Sequence, residues 1–389
     1  MTTHKTIVEE KGELVTLFDD EEKIIELPTL FAHTMARKPR YSKKSVGEYT
    51  KDIMYFCKAL QKDKIYKVYS IDEALQIVGS RFVEDWLSQL QRQGLSQYTI
   101  RKRDAVLKSF FDWLTTEEAG RVRDIDNHPY SDGKLKTVAP HRPPPKYLTY
   151  LEVCDFISNG FKNESERCLV HFLYDTGLRV SEVCRVLKSD LPDLDHYPDS
   201  LMYFPLLVMG SKGRGGNLKP RYTIISRSMI ERINRLHNNW RVYRKAELNF
   251  ERQEIPMFLN VRGKPITRHA IQKKFNSTSE ALLNAGILNK TISPHRLRHG
   301  TAFSILKSEH GREFLENLVV CQRALGHSHI KSTEMYTAIP APIIAKIQQL
   351  GDSNGINNRY EEAIYIYRNT FKPQKNHTEK RGHGSKTKS

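Results

Sequence analysis

No stretch of the chain approaches the roughly 20 consecutive apolar residues of a membrane-spanning helix, so none of its 389 residues is expected to cross a bilayer in that way. Cysteine is sparse. The five, Cys57, Cys154, Cys168, Cys184 and Cys321, stand singly with no Cys-x-x-Cys pair, which argues against a zinc ribbon or a disulfide framework. The opening "MTTHKTIVEEKGELV" is mixed and charged, unlike a secretion signal. A reduced, cytoplasmic protein is expected. Negative charge is also short: 45 acidic residues face 62 basic ones, a net charge of +17. That excess favours a polyanionic partner, nucleic acid before an anionic membrane surface. With 39% hydrophobic and 10% aromatic residues the chain has enough apolar material to fold, and its length suits two domains.

Periodicity divides the chain. Residues 1–43 form a mixed N-terminal extension. Residues 44–119 carry helical spacing: Tyr49, Ile53, Phe56 and Leu60 on one face, then Phe82, Trp86 and Leu90, then Val106, Leu107, Phe110, Phe111 and Leu114. Gly94 suits a helix stop. Around the last stripe lie Arg101, Lys102, Arg103 and Lys108, a basic flank. Residues 120–146 are rich in Pro, Gly and charge and are expected to be a basic interdomain linker. Residues 147–350 predict helices at 149–159, 165–175 and 180–188, and two strands, "LMYFPLLVMG" and "PRYTIIS", joined by "SKGRGGNLK". Pro205 suits an edge strand or a bulge. A long helix is expected from 226 to about 249, then a short strand and turn in "MFLNVRGKPIT", then a helix capped by Thr267 and ending at Gly286. Further helices fit 294–308, 312–324 and 332–348. Residues 351–389 hold one amphipathic stretch, "NNRYEEAIYIYRNTF", and a basic tail with the composition of a disordered segment.

Four places concentrate unusual polar groups. In "YDTGLRVSEVCRV", Arg179 starts a helix, where backbone N–H groups face anions; a packing role is the ordinary alternative. In "SPHRLRHGTAFSIL", His295 and Arg298 share a face and His299 follows. A histidine pair at this spacing suits zinc, but no third ligand or intervening glutamate accompanies it, so no metal is expected. "MGSKGRGGNLKP" fails as a phosphate loop because glycine follows Lys212 and strands flank it; what remains is a hairpin tip with a lysine. Finally, "LGHSHIKSTEMYT" sets His327 nine residues before Tyr336, with His329 between them.

In chain order, Arg179, then Lys212, then His295 and Arg298, then His327 and Tyr336, the boxes resemble the tyrosine recombinase (phage integrase) family. The resemblance covers about residues 44 to 345 and is most specific in the combined Arg, His-x-x-Arg, His and Tyr boxes. It implies a mainly α fold with a small antiparallel β-sheet: a helical core-binding (SAM-like) DNA-binding domain, then an α+β catalytic domain, closing as a two-domain clamp on DNA. Arg179 matches the first arginine and Glu182 the acidic residue after it. Lys212 matches the hairpin lysine, His295 and Arg298 the His-x-x-Arg pair, and His299 its trailing histidine. His327 matches the histidine of the Leu-Gly-His box and Tyr336 the nucleophile. His329 has no counterpart. The hairpin loop is longer and richer in glycine than the usual form, which leaves Arg214 and Lys219 as alternatives to Lys212 and as DNA contacts.

The chemistry suits these residue types. Two arginine forks can neutralise the charge that builds on phosphate oxygens in the transition state. Tyrosine, with an unperturbed pKa of about 10, needs a base, and His295 is placed for it. Lys212 could protonate the leaving 5′-oxygen. The family product is a 3′-phosphotyrosyl link, which needs neither ATP nor a metal, so no cofactor is expected. Implied partners are double-stranded DNA at specific sites, bound mainly through phosphates, a homo-tetramer on two duplexes, and accessory recombination proteins. The leading reading is the integrase or transposase of a mobile element. A chromosome-dimer or plasmid resolvase, a type IB topoisomerase and a catalytically dead DNA-binding regulator are its rivals.

Overall fold

The computed structural model describes residues 1–8, 12–39, 41–140, 148–210, 218–239, 241–246, 250–251, 254–307, 314–326 and 359–373. The chain falls into two compact units, the first ending at residue 142 and the second built from 143–211 and 218–389.

The first unit begins with an antiparallel hairpin, β1 (Thr2–Val8) and β2 (Gly12–Phe18). Five helices follow: α1 (Glu26–Arg37), α2 (Lys43–Lys62), α3 (Ile71–Ile77), α4 (Ser80–Arg92) and α5 (Gln97–Leu114). Three of them start on serine. Ser42, Ser70 and Ser96 accept from the backbone N–H three residues on, and Glu73 completes a capping box at α3, satisfying donors that the first helical turn leaves open. The predicted stripes all turn inward: Phe56, Leu107, Phe110, Phe111 and Leu114 are fully buried, and Phe56 meets Trp86 edge-on at 5.2 Å.

The linker expectation needs correction here, because residues 120–137 pack onto this first unit. Tyr130, 2% exposed, donates its hydroxyl to Asp104 Oδ1 at 2.8 Å. Thr137 donates its N–H and hydroxyl to the other oxygen at 2.8 and 2.7 Å. Arg123 donates to Leu75 O and Val78 O, at 2.8 and 2.9 Å, across the end of α3. Burial pulls its guanidinium pKa down to about 10. A segment whose average composition cannot make a core is thus fastened by three side chains, two of them sharing the Asp104 carboxylate.

The second unit is mainly helical, around α7 (Glu164–Thr176), of which 11 of the 13 residues are buried. Against it pack α6 (Tyr150–Gly160), α9 (Arg227–Asn239), α12 (Pro294–Lys307) and a C-terminal helix, α14 (Arg359–Thr370). The remaining helices are α8 (Val180–Val183), α10 (Arg241–Ala246), α11 (Arg268–Asn284) and α13 (Phe314–Leu325). The strands β3 (Tyr203–Met209) and β4 (Pro220–Ser226) pair antiparallel, as the alternation predicts, with Pro205 opposite Ile224. Proline is tolerated there because each strand of a two-stranded sheet keeps one unpaired edge. Thr267 caps α11 by accepting from Ala270 N at 3.2 Å.

Two expectations change in detail. The helix predicted at 180–188 is the single turn of α8 followed by a 3-10 turn at Lys188–Asp190. Of the long helix predicted from 226 to about 249, the described parts are α9 and α10. "MFLNVRGKPIT" forms a turn closed by a lone bridge between Leu259 and Pro265 instead of a strand. Among the described residues no helix is long and apolar enough to cross a membrane. The helix expected at 332–348 lies outside the described residues.

Candidate active site

The C-terminal end of α7 organises the site. The last carbonyls of a helix have no intrahelical donor. Gly177, at φ +62°, turns the chain away and returns its N–H to Leu173 O at 3.1 Å. The next four carbonyls each receive a side chain from elsewhere. Thr301 of α12 donates to Tyr174 O at 2.5 Å, Arg359 of α14 to Asp175 O, Thr223 of β4 to Thr176 O at 3.0 Å, and Arg298 of α12 to Gly177 O at 2.7 Å.

Arg298 is 2% exposed, and its second amino group donates to Leu325 O, at the end of α13. One guanidinium therefore joins the "TGLR", "HRLRH" and "LGH" boxes. Cations at helix C-termini are also favoured by the helix dipole.

Arg179 caps α8. Its N–H donates to Glu182 Oε2 at 2.8 Å and its Nη1 to Oε1 at 3.0 Å, while its side chain stays 37% exposed. Glu182 itself is fully buried, and a second arginine reaches it: Arg221 of β4 donates from Nη2 to Oε2 at 3.0 Å. Burial would raise the Glu182 carboxyl. The charge and hydrogen bonds of Arg221, then those of Arg179, outweigh it and hold the pKa below its ordinary value.

Sequence reading had no signal for Arg221, which looks like one more base in a basic strand. It also donates to Ala324 O at 2.6 Å, and its side chain explains the glycine of "LGH". Gly326 adopts φ +65°, and a Cβ there would lie 2.6 Å from Arg221 Nε. Only glycine fits both the left-handed backbone and the close approach.

His295 and His299 stand on α12 with ring centroids 4.5 Å apart. His299 turns inward at 9% exposure, while His295 reaches solvent. The His295 pKa is lowered by partial burial of the ring and then by the positive charges of Arg298 and Arg179. Arg298, three residues after His295 on α12, donates to Gly177 O, two residues before Arg179, so the three lie on neighbouring segments. At neutral pH such a histidine is an uncharged base beside two cations, an arrangement suited to an anionic ester and a proton-bearing nucleophile.

Lys219 lies at the neck of the β3–β4 hairpin with its side chain exposed, and its carbonyl accepts from Gly210 N at 2.8 Å. Lys212, Arg214, His327, His329 and Tyr336 lie outside the described residues.

The basic residues of α5 are less available than the sequence suggests. Arg101 donates to Thr137 O. Lys102 pairs with Glu48 at 2.8 Å and Asp52 at 3.2 Å, Arg103 sits 3.4 Å from Asp52 and stacks on Tyr55, and Lys108 pairs with Asp112 at 2.7 Å.

The described residues form a mainly helical fold in which Arg298 ties the segment bearing His295 to the one bearing Arg179. Residues 149–341 match the phage integrase family, and residues 29–118 match the phage integrase N-terminal SAM-like domain. The chain belongs to the tyrosine recombinase (phage integrase) family, enzymes that cleave and rejoin DNA strands. A tyrosine recombinase XerD of Staphylococcus haemolyticus is 28% identical over 304 residues, covering 77% of this chain and 88% of that protein. A tyrosine recombinase XerC of Pediococcus pentosaceus is 28% identical over 323 residues, with 81% and 94% covered. Among solved structures, the Tn1549 transposon integrase in complex with transposon right end DNA has a TM-score of 0.56 at 20% identity, covering 84% of this chain and 99% of that one. A lambda integrase dimer bound to a core site has a TM-score of 0.57 at 15% identity, with 82% and 95% covered. These two likenesses concern the fold.

Proposed function

We propose that Arg179 and Arg298 hold the two non-bridging oxygens of a DNA phosphate while Tyr336 attacks the phosphorus. His295 takes the phenolic proton, Lys212 returns a proton to the departing 5′-oxygen, and His327 adds a donor to the phosphate. The strand is then held as a 3′-phosphotyrosyl ester until another 5′-hydroxyl displaces the tyrosine. The observation that carries this reading is the Arg298 guanidinium, hydrogen-bonded to Gly177 O and Leu325 O. It tethers the residue two before Arg179 and the residue two before His327 to the helix bearing His295. Loss of one transition-state donor of this kind costs on the order of 3–4 kcal/mol of barrier.

The partner is double-stranded DNA at specific sites, engaged by a homo-tetramer on two duplexes with accessory proteins as the element requires. The role we favour is integrase or transposase of a mobile element. The β1–β2 hairpin and α14 lie outside both family matches, which suits surfaces particular to one element. The XerC and XerD relatives favour a second reading, resolution of chromosome or plasmid dimers.

Nicked suicide duplexes test both. One carries the ends of the protein's own element and the other a chromosomal dimer-resolution site, each incubated with EDTA. A covalent complex on a denaturing gel that disappears in Tyr336→Phe supports the chemistry, and the duplex that supports it selects the role. Binding without any covalent complex moves the assignment to a DNA-binding regulator, and a complex that survives in Tyr336→Phe means another nucleophile.

A further inference from the structure

Helix α14 lies beyond residue 341, where the family match ends, yet it is built into the catalytic unit. Ile366 and Ala363 are buried, and Tyr365 meets Tyr150 of α6 edge-on at 5.3 Å. The C-terminal end is anchored by arginines, which suit the negative end of a helix. Arg167 donates to Thr370 O at 2.9 Å and Arg232 to Thr370 Oγ1 at 2.8 Å.

The N-terminal end touches the elements that carry the site. Arg359 is 4% exposed, donates to Asp175 O and stacks 5.0 Å over Tyr203. Glu362, 5% exposed, accepts from Ser304 of α12 at 2.6 Å and from Tyr174 of α7 at 3.3 Å. Asp175 is two residues before Gly177, the partner of Arg298, and four before Arg179. Its carboxylate accepts from Ser226 N of β4 at 2.9 Å. The α7 terminus is therefore tied to α12 and β4 directly and to α14 through Arg359 and the Tyr174–Glu362 hydrogen bond. Three of its four side-chain donors come from within the family-matched region, and the fourth does not.

We propose that Arg359 is a positioning residue for DNA cleavage, and that α14 braces the α7 terminus within the same chain. Its role follows from the donor it supplies. An unsatisfied buried carbonyl is costly, and a shift of Asp175 O toward another donor would carry the adjoining turn, moving Gly177 O and Arg179 relative to Arg298. Displacement of about 1 Å at reacting groups can cost on the order of a hundredfold in rate. Arg359 touches neither phosphate nor nucleophile in this scheme. The inference rests on the proposed cleavage chemistry.

The experiment compares full-length wild type with Arg359→Met and Arg359→Lys. Methionine keeps an apolar stem without a donor, while lysine keeps one donor. Single-turnover cleavage of the nicked duplex and equilibrium DNA binding are measured in parallel. Cleavage by Arg359→Met should fall on the order of tenfold to a hundredfold with unchanged DNA affinity, and Arg359→Lys should recover most of the rate. A third readout separates positioning from general loosening. A methylphosphonate at the scissile position removes the phosphate charge, leaving the arginine pair less to neutralise, so the Arg359→Met defect should shrink there.

Wild-type cleavage by a folded Arg359→Met, or an equal defect on both substrates, overturns the proposal. Should Arg359→Met lose its cooperative melt, Ser304→Ala carries the same comparison, since it removes one hydrogen bond to Glu362 and leaves the core filled. A Ser304→Ala protein at wild-type rate then overturns it. Absence of a covalent complex from wild type would instead be a failure of the cleavage reading itself.

Discussion

Replacing Glu182 with glutamine should loosen Arg179 and destabilise the catalytic unit together. The carboxylate accepts from Arg179 N at 2.8 Å, Arg179 Nη1 at 3.0 Å, Arg221 Nη2 at 3.0 Å and Arg221 Nε at 3.4 Å. An amide offers one oxygen and an NH2 donor group where the carboxylate had two oxygens. With its oxygen on the Oε2 side, the amide turns a donor toward Arg179 Nη1 and Arg221 Nε. With the opposite flip, it faces Arg179 N and Arg221 Nη2. Either way two of the four contacts are lost and the negative charge is gone.

Hydrogen bonds to charged groups contribute roughly 1.5–3 kcal/mol each, and removing one partner of a buried ion pair costs about 3–5 kcal/mol. Arg179 is 37% exposed, so water recovers part of its share, and about 3 kcal/mol is expected at neutral pH. Urea melts of the two proteins measure this as a lower midpoint with an unchanged slope.

The pH dependence gives the sign. The Glu182 carboxyl has a lowered pKa in the fold. Its stabilisation is complete above the unfolded value and is lost as pH falls through the folded one. The gap between wild type and Glu182→Gln should therefore close on acidification. Suicide-substrate cleavage should drop on the order of tenfold or more as Arg179 loses its restraint. A variant within about 0.5 kcal/mol of wild type that cleaves normally would refute the view that Glu182 holds this arginine.

Two other expectations concern separate parts of the molecule. The His295 imidazole, followed by NMR in the DNA-free protein, should titrate below its ordinary value of 6.5. Arg179→Met should move the midpoint upward by removing one of the two charges; a midpoint at or above the ordinary value would discard the neutral-base assignment. In the first unit, Tyr130→Phe removes the hydrogen bond to Asp104. It should cost about 1 kcal/mol and speed tryptic cleavage at Lys134 and Lys136, whereas unchanged cleavage would mean that residues 120–137 are held by other contacts.

The sequence by itself determined the family and the broad plan of the fold. Arg179, His295 and Arg298 were legible because their box order is specific, and the helices were legible because apolar residues recur at helical spacing. The Thr267 cap was legible too, since a cap acts within four residues of its helix. The tertiary structure alone decided what a backbone carbonyl or a distant partner does. The four carbonyls at the end of α7 carry no mark in the sequence, and their donors Thr223, Arg298, Thr301 and Arg359 lie 47 to 184 residues away. Arg221 was hidden for the same reason, 39 residues from Glu182. The α5 bases read correctly as positive, but their pairing with Glu48, Asp52 and Asp112 depends on packing. Composition also misjudged residues 120–137, since it averages over a segment while burial acts on single side chains such as Arg123 and Tyr130. Local patterns are written along the chain. Long-range hydrogen bonds exist only once folding has brought their two ends within about 3 Å.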